Sequence, residues 1–451
     1  MLPRPCWPRP VGVPQEGLRK QLPAEKQDAY FELVLYQVKA TANLYALRQA
    51  EFTNILYAQQ GRAAANDLAT KAEEYFAIDQ ELMEHFNTEI ADGIWHNFML
   101  QPHIGYGDTE RYGSNAGWQQ SGLNNVALPD EIFPAVQRIE LPETAEMGVA
   151  IDGSDQTWPD STEEAVLPTF SPYQSQPTQY LDVFNRGSVP FSYRIEAGAP
   201  WIHVTVAEGT VDPQVRAEVR VDWEEAPSGT TTVPIVVTGA DGQGVTVQAV
   251  VDNPSVDPGE LGGSVEANGY VSMEAADFAR AVNTNGITWT TIPKLGRTEA
   301  GVEPFPVTAD SQEPGGDSPR LEYTMTTFSS GPAKVNVYLS PRADVFAQGG
   351  LRYAVSIDDG EPQVVNIQQA NGANANTMNR QWGRTTSDNV NLTTTVHDNL
   401  GPGVHSVKIW MVDPIVVVQK VVVDLGGEKP SYLGPPKSMQ IEPQQADRLQ
   451  V

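Results

Sequence analysis

Cysteine is almost missing from this sequence: Cys6 is the only one in 451 residues. A single thiol cannot form an intrachain disulfide, and it excludes cysteine-based metal sites. Positive charge is scarce as well, with 29 Lys and Arg against 57 Asp and Glu, a formal net charge of −28. Binding to nucleic acid or to an anionic membrane surface rests on Lys and Arg displacing counterions, so neither is an expected partner. Long apolar runs are absent too. No stretch approaches the roughly 20 residues that a membrane span needs. The opening Met1-Leu2-Pro3-Arg4-Pro5-Cys6-Trp7-Pro8 has no apolar core of a signal peptide, so residues 1–20 are expected to be a disordered leader and the compartment is left open.

Catalytic signatures are missing in the same way. The six His residues are scattered, and His85 and His96 are too far apart for a zinc pair at i, i+4. There is no HExxH, no Gly-x-Ser-x-Gly elbow, no phosphate-binding GxxxxGK[ST] and no Rossmann fingerprint. Glu163-Glu164 and Glu224-Glu225 are neighbours in sequence, so neither pair can flank a glycosidic bond across a cleft. They read as solvated surface. No catalytic residue, metal ligand or cofactor is expected.

What the chain does have is 38 Gly, 35 Pro and 40% hydrophobic residues, the mark of a folded, turn-rich protein. The first region is helical. Pro23 is expected in a first turn, where its missing N–H costs nothing, with Glu25 nearby to complement the dipole. Phe31, Val34, Leu35, Val38, Ala42 and Tyr45 then recur at helical spacing. Gly61 interrupts, and a second stripe runs through Leu68, Ala72, Tyr75, Leu82 and Phe86 to Gly93, a C-cap candidate. Two long helices joined by a short turn form an antiparallel hairpin. Their stripes need another helix or a neighbouring domain to cover them.

Past about residue 129 the period changes to two. Phe191, Tyr193 and Ile195 alternate, as do Ile202, Val204 and Val206, then Ala217, Val219 and Val221. Val233, Ile235 and Val237 follow, and Val245, Val247, Ala249 and Val251 close the series. Short alternating strands separated by turn residues predict an immunoglobulin-like sandwich over 129–254. Residues 255–263 read as a linker. A second β domain over 264–427 has strands at Leu321-Tyr323-Met325, Val335-Val337-Leu339, Leu351-Tyr353-Val355-Ile357 and Val407-Ile409-Met411. The unalternating run from Val416 to Val423 suits a strand buried on both faces. Asp358-Asp359-Gly360 reads as a hairpin turn rather than a calcium loop. The long loop from Gln368 to Asn391 favours a jelly-roll-like sandwich, and residues 428–451 are expected to be an extended tail. The fold class is thus multidomain α+β: a helical domain with its C-terminal loop over 21–128, then two all-β sandwiches.

Four aromatic or imidazole side chains are carbohydrate-facing candidates. His103 and Tyr106 lie in Gln101-Pro102-His103-Ile104-Gly105-Tyr106-Gly107, just past a long helix, where they either line a cleft or pack a junction. Trp118 follows in the same Gly- and Asn-rich region. Trp382 lies in the long loop of the last domain, and a flat ring there complements the C–H face of a sugar. Trp289, Tyr323 and Trp410 raise the same idea, but Tyr323 and Trp410 fall in predicted strands and read as core. Asn391-Leu392-Thr393 is a glycosylation sequon, with Asn391 as acceptor.

Several ordered segments resemble glycoside hydrolase family 115, the xylan α-glucuronidases. They are the run from Leu22 through Tyr36, Tyr57-Ala58-Gln59-Gln60-Gly61-Arg62, Gln101-Pro102-His103-Ile104-Gly105-Tyr106, Tyr353-Ala354-Val355-Ser356-Ile357-Asp358-Asp359 and Lys408-Ile409-Trp410-Met411-Val412-Asp413-Pro414. The middle domain, with Val183-Phe184-Asn185-Arg186-Gly187 and Pro200-Trp201-Ile202, resembles that family's own sandwich. The resemblance implies hydrolysis of glucuronic or 4-O-methylglucuronic acid from xylan, in the extracellular space, by an enzyme whose catalytic carboxylates sit in a (β/α)₈ barrel ahead of the helices. A barrel needs about 250 residues, whereas residues 1–22 alone precede the first helix here, so no position matches a catalytic carboxylate. In the family, Tyr106 is soon followed by an aromatic and Gln-Gln-Pro; here Gly107 to Gly117 intervene before Trp118-Gln119-Gln120. The expected function is therefore that of a non-catalytic C-terminal portion of such an enzyme, inactive alone, with a stand-alone carbohydrate-binding or scaffold protein as the alternative. The expected partners are xylan or another plant polysaccharide, and a second copy docked through the helical domain.

Overall fold

A computed structural model describes residues 13–99, 118–120, 124–126, 136–347, 349–370, 385–386 and 388–441. Contacts divide the chain into two units. One comprises Met1–Leu167, Thr178–Arg220 and Val233–Ala249; the other comprises Pro168–Pro177, Val221–Thr232 and Val250–Val451.

In the first unit a short helix α1 (Val13–Arg19) precedes one continuous helical rod. The rod is made of α2 (Ala24–Tyr30), a π-helical segment (Phe31–Leu35) and α3 (Tyr36–Gln59). Pro23 stands one residue outside it, at the N-cap with an extended ψ of 143°. That position suits a residue with no N–H to donate. Gly61 then turns the chain with φ 67°, a left-handed conformation that a side chain disfavours. Helix α4 (Ala64–Thr88) runs back antiparallel. It stops five residues short of Gly93, because Ala91, Asp92 and Gly93 all take positive φ.

The helices pack through three small clusters. One joins Leu47, Ala50 and Ala72; a second joins Phe31, Leu35, Tyr36, Phe86 and Ile90; a third joins Tyr57, Ala64, Ala65 and Leu68. Val136 and Ile139 pack onto the first and third. The segment 136–139 is held as a β-strand would be, but by side-chain amides. Asn54 accepts from Gln137 N at 2.7 Å and donates to Gln137 O at 2.8 Å, and Asn66 does the same for Ile139 at 3.0 Å each way. The expectation that the apolar stripes wait for an outside cover needs correction here. This strap covers part of the groove, and Phe31 is only 2% exposed.

Strands β1 (Trp118–Gln120) and β2 (Asn124–Val126) pair with each other. The middle sandwich has a four-stranded sheet and a five-stranded sheet. The first contains β3 (Met147–Ile151), β5 (Gln179–Asn185), β9 (Gln214–Val221) and β7 (Ile202–Val204), in that order. The second has the order β4 (Ala165–Val166), β11 (Gly244–Asn253), β10 (Gly229–Thr238), β6 (Phe191–Ala197), β8 (Glu208–Val211). The predicted alternation is present in β6 and β10, where Phe191, Tyr193 and Ile195 are buried, as are Val233, Ile235 and Val237. It is not present in the run Ile202-Val204-Val206, since β7 ends at Val204 and Val206 is exposed with φ 50°. Strand β5 is different, buried on both faces from Leu181 to Asn185. Asp182 on its outer face receives Arg62 Nη1 at 2.9 Å and Arg216 Nε and Nη2 at 2.7 and 2.8 Å.

In the second unit, thirteen strands form a sandwich of two sheets. The first, with β12 (Gly263–Val265), β14 (Arg280–Val282), β17 (Arg320–Thr327), β19 (Arg352–Ile357), β20 (Gln363–Asn366), β22 (Gly403–Met411) and β24 (Gln440–Ile441), has the order β20-β19-β22-β17-β12-β24, and β14 also pairs with β17. The second, with β13 (Tyr270–Glu274), β15 (Thr288–Pro293), β16 (Ala300–Phe305), β18 (Gly331–Leu339), β21 (Asn391–Leu400) and β23 (Val418–Asp424), has the order β15-β16-β23-β18-β21, and β13 pairs with β23. Between the sheets lie Val335, Val337, Tyr323, Tyr353, Val407, Ile409, Val421 and Val423. Trp410 is 5% exposed and Tyr323 fully buried, as their places in predicted strands imply. The Asp358–Gly360 turn joins β19 to β20, with Gly360 N donating to Ile357 O. Strand β23 is buried on both faces because its outer side is also covered: Val422 packs with Tyr338 and Val390, and Lys420 reaches the carbonyls of Leu433 and Pro435.

Candidate functional site

The candidate site forms on the outer face of the second sheet of the C-terminal sandwich. Alternation along β18 sends Ala333, Val335, Val337 and Leu339 into the core and leaves Asn336 and Tyr338 on the other face. Across the ladder Tyr338 faces Leu392 and Asn336 faces Thr394. Two irregular segments wall this patch. Thr385, Asp388 and Val390 stand on one side, and Glu428, Pro430, Ser431 and Tyr432 on the other, around a cavity of about 670 Å³.

Arg297 ties the walls together. Its Nε donates to Asp388 O at 2.6 Å and its Nη1 to Tyr432 O, while the guanidinium lies 3.9 Å from the centroid of the Tyr432 ring. The Arg297 side chain is 9% exposed, so it acts as a strut. On the floor, Glu428 Oε2 accepts from Asn336 Nδ2 at 2.6 Å and Oε1 from the Tyr338 hydroxyl at 3.1 Å. Burial, reinforced by the Glu428 charge, pushes the Tyr338 hydroxyl well above its ordinary value, so it remains a donor at all physiological pH. Asp424 Oδ1 accepts from Gly426 N and Glu428 N, which fixes the bend into the second wall. Gly434 lies against the Tyr338 hydroxyl so closely that a Cβ there would sit 2.8 Å from it.

Among the described residues, the resulting surface carries one guanidinium, Arg297, against three carboxylates, Asp388, Asp424 and Glu428. Its chemistry is that of accepting hydrogen bonds beside a flat ring. Among the described residues, no group of three or more His, Cys, Asp or Glu could hold a metal ion.

Of the residues singled out from sequence, His103, Tyr106 and Trp382 lie outside the described residues. Trp118 sits in β1 opposite Val126. Asn391 begins β21, lines the cavity, and is 5% exposed with its Oδ1 lacking a hydrogen bond. Such burial does not favour a glycan on it. Sequence reasoning missed Arg297, Asn336, Glu428 and Tyr432. The one available signal was Tyr432 itself, an aromatic in the Pro- and Gly-rich Ser431-Tyr432-Leu433-Gly434-Pro435.

Residues 263–437 match the family model of the glycosyl hydrolase family 115 C-terminal domain. No curated protein sequence matches the chain. Among solved structures, a family 115 4-O-methyl-α-glucuronidase with specificity for decorated arabinogalactans is 14% identical, with a TM-score of 0.43. It is matched over 91% of this chain but only 31% of its own length, so the chain spans about a third of that enzyme. A family 35 carbohydrate-binding module from Clostridium thermocellum, 14% identical with a TM-score of 0.23, is matched over 34% of this chain and 96% of its own. The C-terminal family 6 module of a laminarinase from Zobellia galactanivorans is 12% identical with a TM-score of 0.22, over 34% and 98%.

Proposed function

We propose, for a chain whose residues 263–437 match the glycosyl hydrolase family 115 C-terminal domain, that it performs the non-catalytic part of an α-glucuronidase that removes glucuronic or 4-O-methylglucuronic acid from xylan outside the cell. The family match over 263–437 carries this reading. The cavity chemistry supports it. Glycoside hydrolysis needs one carboxyl group free to give a proton and another free to attack or to activate water. Both Glu428 oxygens instead hold donors, and Asp424 Oδ1 holds two backbone N–H groups. These bonds hold Glu428 and Asp424 as parts of the cavity surface. Incubated with glucuronoxylan, the purified chain is expected to release no more glucuronic acid than a heat-denatured control. Turnover that co-purifies with the chain through several columns would refute the reading.

The alternative, a stand-alone protein whose β domains hold polysaccharide, is favoured by the cavity itself. The two readings share a carbohydrate-facing role for the C-terminal sandwich. Self-association through the helical domain belongs to the same proposal. Leu33 is 73% and Phe52 62% exposed on the helical rod, and burying such a side chain fully is worth about 1.5–3 kcal/mol. Phe52→Glu is expected to shift sedimentation from dimer to monomer; a wild-type chain that sediments as a monomer at every concentration would end this part of the proposal.

A further inference from the structure

We infer that the cavity between β18, β21 and residues 428–432 binds a neutral sugar chain, with the Tyr432 ring as its stacking platform. The inference rests on the carbohydrate-facing role proposed above and gives it a location and a preferred charge.

Three observations carry it. The first is the ring. The Arg297 guanidinium lies 3.9 Å from its centroid and so occupies one face. The residue is nevertheless 62% exposed, which leaves the opposite face to solvent. An aromatic ring held rigid on one side loses little freedom when a ligand covers the other. A pyranose presents a flat C–H face that fits such a surface, while its rim of hydroxyls needs partners within reach.

The second observation is a set of acceptors in the same lining. Glu428 holds one donor on each oxygen, from Asn336 and from Tyr338, and each oxygen retains a lone pair. Asp424 spends Oδ1 on two backbone N–H groups and leaves Oδ2 without a hydrogen bond among the described residues. Acceptors of this kind suit hydroxyl donors, and charge-assisted hydrogen bonds are the stronger ones.

The third observation is the sign of the charge. Among the described residues, Arg297 is the one cation of the lining, and its guanidinium is already committed to Asp388 O and Tyr432 O. Asp388 pairs with Arg297 at 3.9 Å, and Asp424 and Glu428 add two further carboxylates to the lining, in a chain with a net charge of −28. A uronic acid would bring a further carboxylate into this field, with no uncommitted guanidinium among the described residues of the lining to receive it. The site therefore discriminates in favour of the uncharged backbone of a decorated polysaccharide and against its acidic side groups.

The experiment titrates the full chain, by calorimetry, with xylohexaose, with a neutral galactan hexasaccharide, and with a xylo-oligosaccharide of equal length bearing glucuronic acid. At least one neutral chain is expected to bind, and the glucuronate-bearing one more weakly at low salt. Tyr432→Ala, a change at an exposed side chain, is expected to weaken binding about tenfold or more, equivalent to 1.4 kcal/mol. Asn336→Ala is expected to weaken it too, by loosening Glu428. Tighter binding of the glucuronate-bearing chain would overturn the charge preference. Binding undiminished in both variants would show that sugar is held elsewhere, so the site would fall while the carbohydrate-facing role stood. If no neutral oligosaccharide binds the wild-type chain, both fall.

Discussion

Asp182→Ala is expected to destabilise the first unit by about 3–5 kcal/mol, the cost of stranding buried charge. Asp182 is 1% exposed and Arg62 3%. Three charge-assisted hydrogen bonds converge on this carboxylate, one from Arg62 and two from Arg216. Both guanidinium groups also stack on rings: Arg62 lies 4.1 Å from the centroid of Tyr57 and 4.5 Å from that of Phe184, and Arg216 lies 3.6 Å from that of Tyr180. Burial works against the Arg216 charge, yet the hydrogen bonds and charge of Asp182 outweigh it and raise its pKa. Without Asp182 the two cations that shared it stand on the same face of β5 with no other ion pair among the described residues. In urea the unfolding midpoint of the helices and middle sandwich should fall by about 1–2 M, since this destabilisation is divided by an m-value of about 2–3 kcal/mol/M. Asp182→Asn keeps the shape and loses the charge, so it should lose nearly as much. Hydrogen exchange resolves the two units; wild-type protection over the helices and β5 in both variants would contradict the argument.

Lys420→Ala should have a comparable effect on the second unit, about 3–5 kcal/mol. Lys420 and Glu274 are opposite each other in the β13–β23 ladder and their side chains meet at 3.1 Å, with side-chain exposures of 4% and 3%. Lys420 Nζ also donates to Leu433 O at 3.3 Å and Pro435 O at 3.1 Å. Glu274 keeps the Thr298 hydroxyl at 2.5 Å and the backbone N–H of Asp277, which is too little for a buried carboxylate that has lost its cation. The substitution also frees the segment that forms one wall of the cavity. Faster exchange at residues 431–438 should accompany the loss of stability. Replacing both partners by apolar residues, Lys420→Met with Glu274→Leu, should recover most of the stability but not the protection of that segment. An equal loss in the single and double variants would mean that packing, not stranded charge, sets the cost.

How much of this was legible in the sequence follows from periodicity. The second helix and the strands around Tyr193, Val219, Ile235 and Val247 carry a period that one buried face imposes, whereas Val34 and Tyr45 of the stripe read for the first helix are exposed and α3 buries Asn43, Glu51 and Asn54 instead. Strand β5 carries none, because Tyr180, Asp182 and Phe184 are packed on one side and Leu181 and Val183 on the other. A strand with an aspartate at its centre does not read as buried until Arg62 and Arg216 are known to meet there. Strands β3, β12 and β14 are too short or too evenly buried to alternate. The cavity was illegible for a related reason. Arg297, Asn336, Asp388 and Glu428 come from four separate stretches of chain and share no spacing. Each alone looks like ordinary polar surface. The sequence pointed instead to tryptophans and a histidine-bearing loop, since large rings stand out in a list of residues while a constellation of common side chains does not.

The grip of Asn54 and Asn66 on residues 136–139 has a different kind of consequence. Each amide recognises one peptide unit, an N–H and a C=O that every residue except proline supplies. The tolerance to change is therefore lopsided. Gln137 is exposed and is free to drift in identity without loosening the hold, whereas Arg138 adds an ion pair to Glu73 at 2.7 Å. The asparagines have no such latitude: aspartate lacks the donor, glutamine places its amide one methylene too far out, and leucine offers neither group. The backbone half of the strap's docking is thus written in two letters of the helices, while its side-chain half is written in Val136, Arg138 and Ile139.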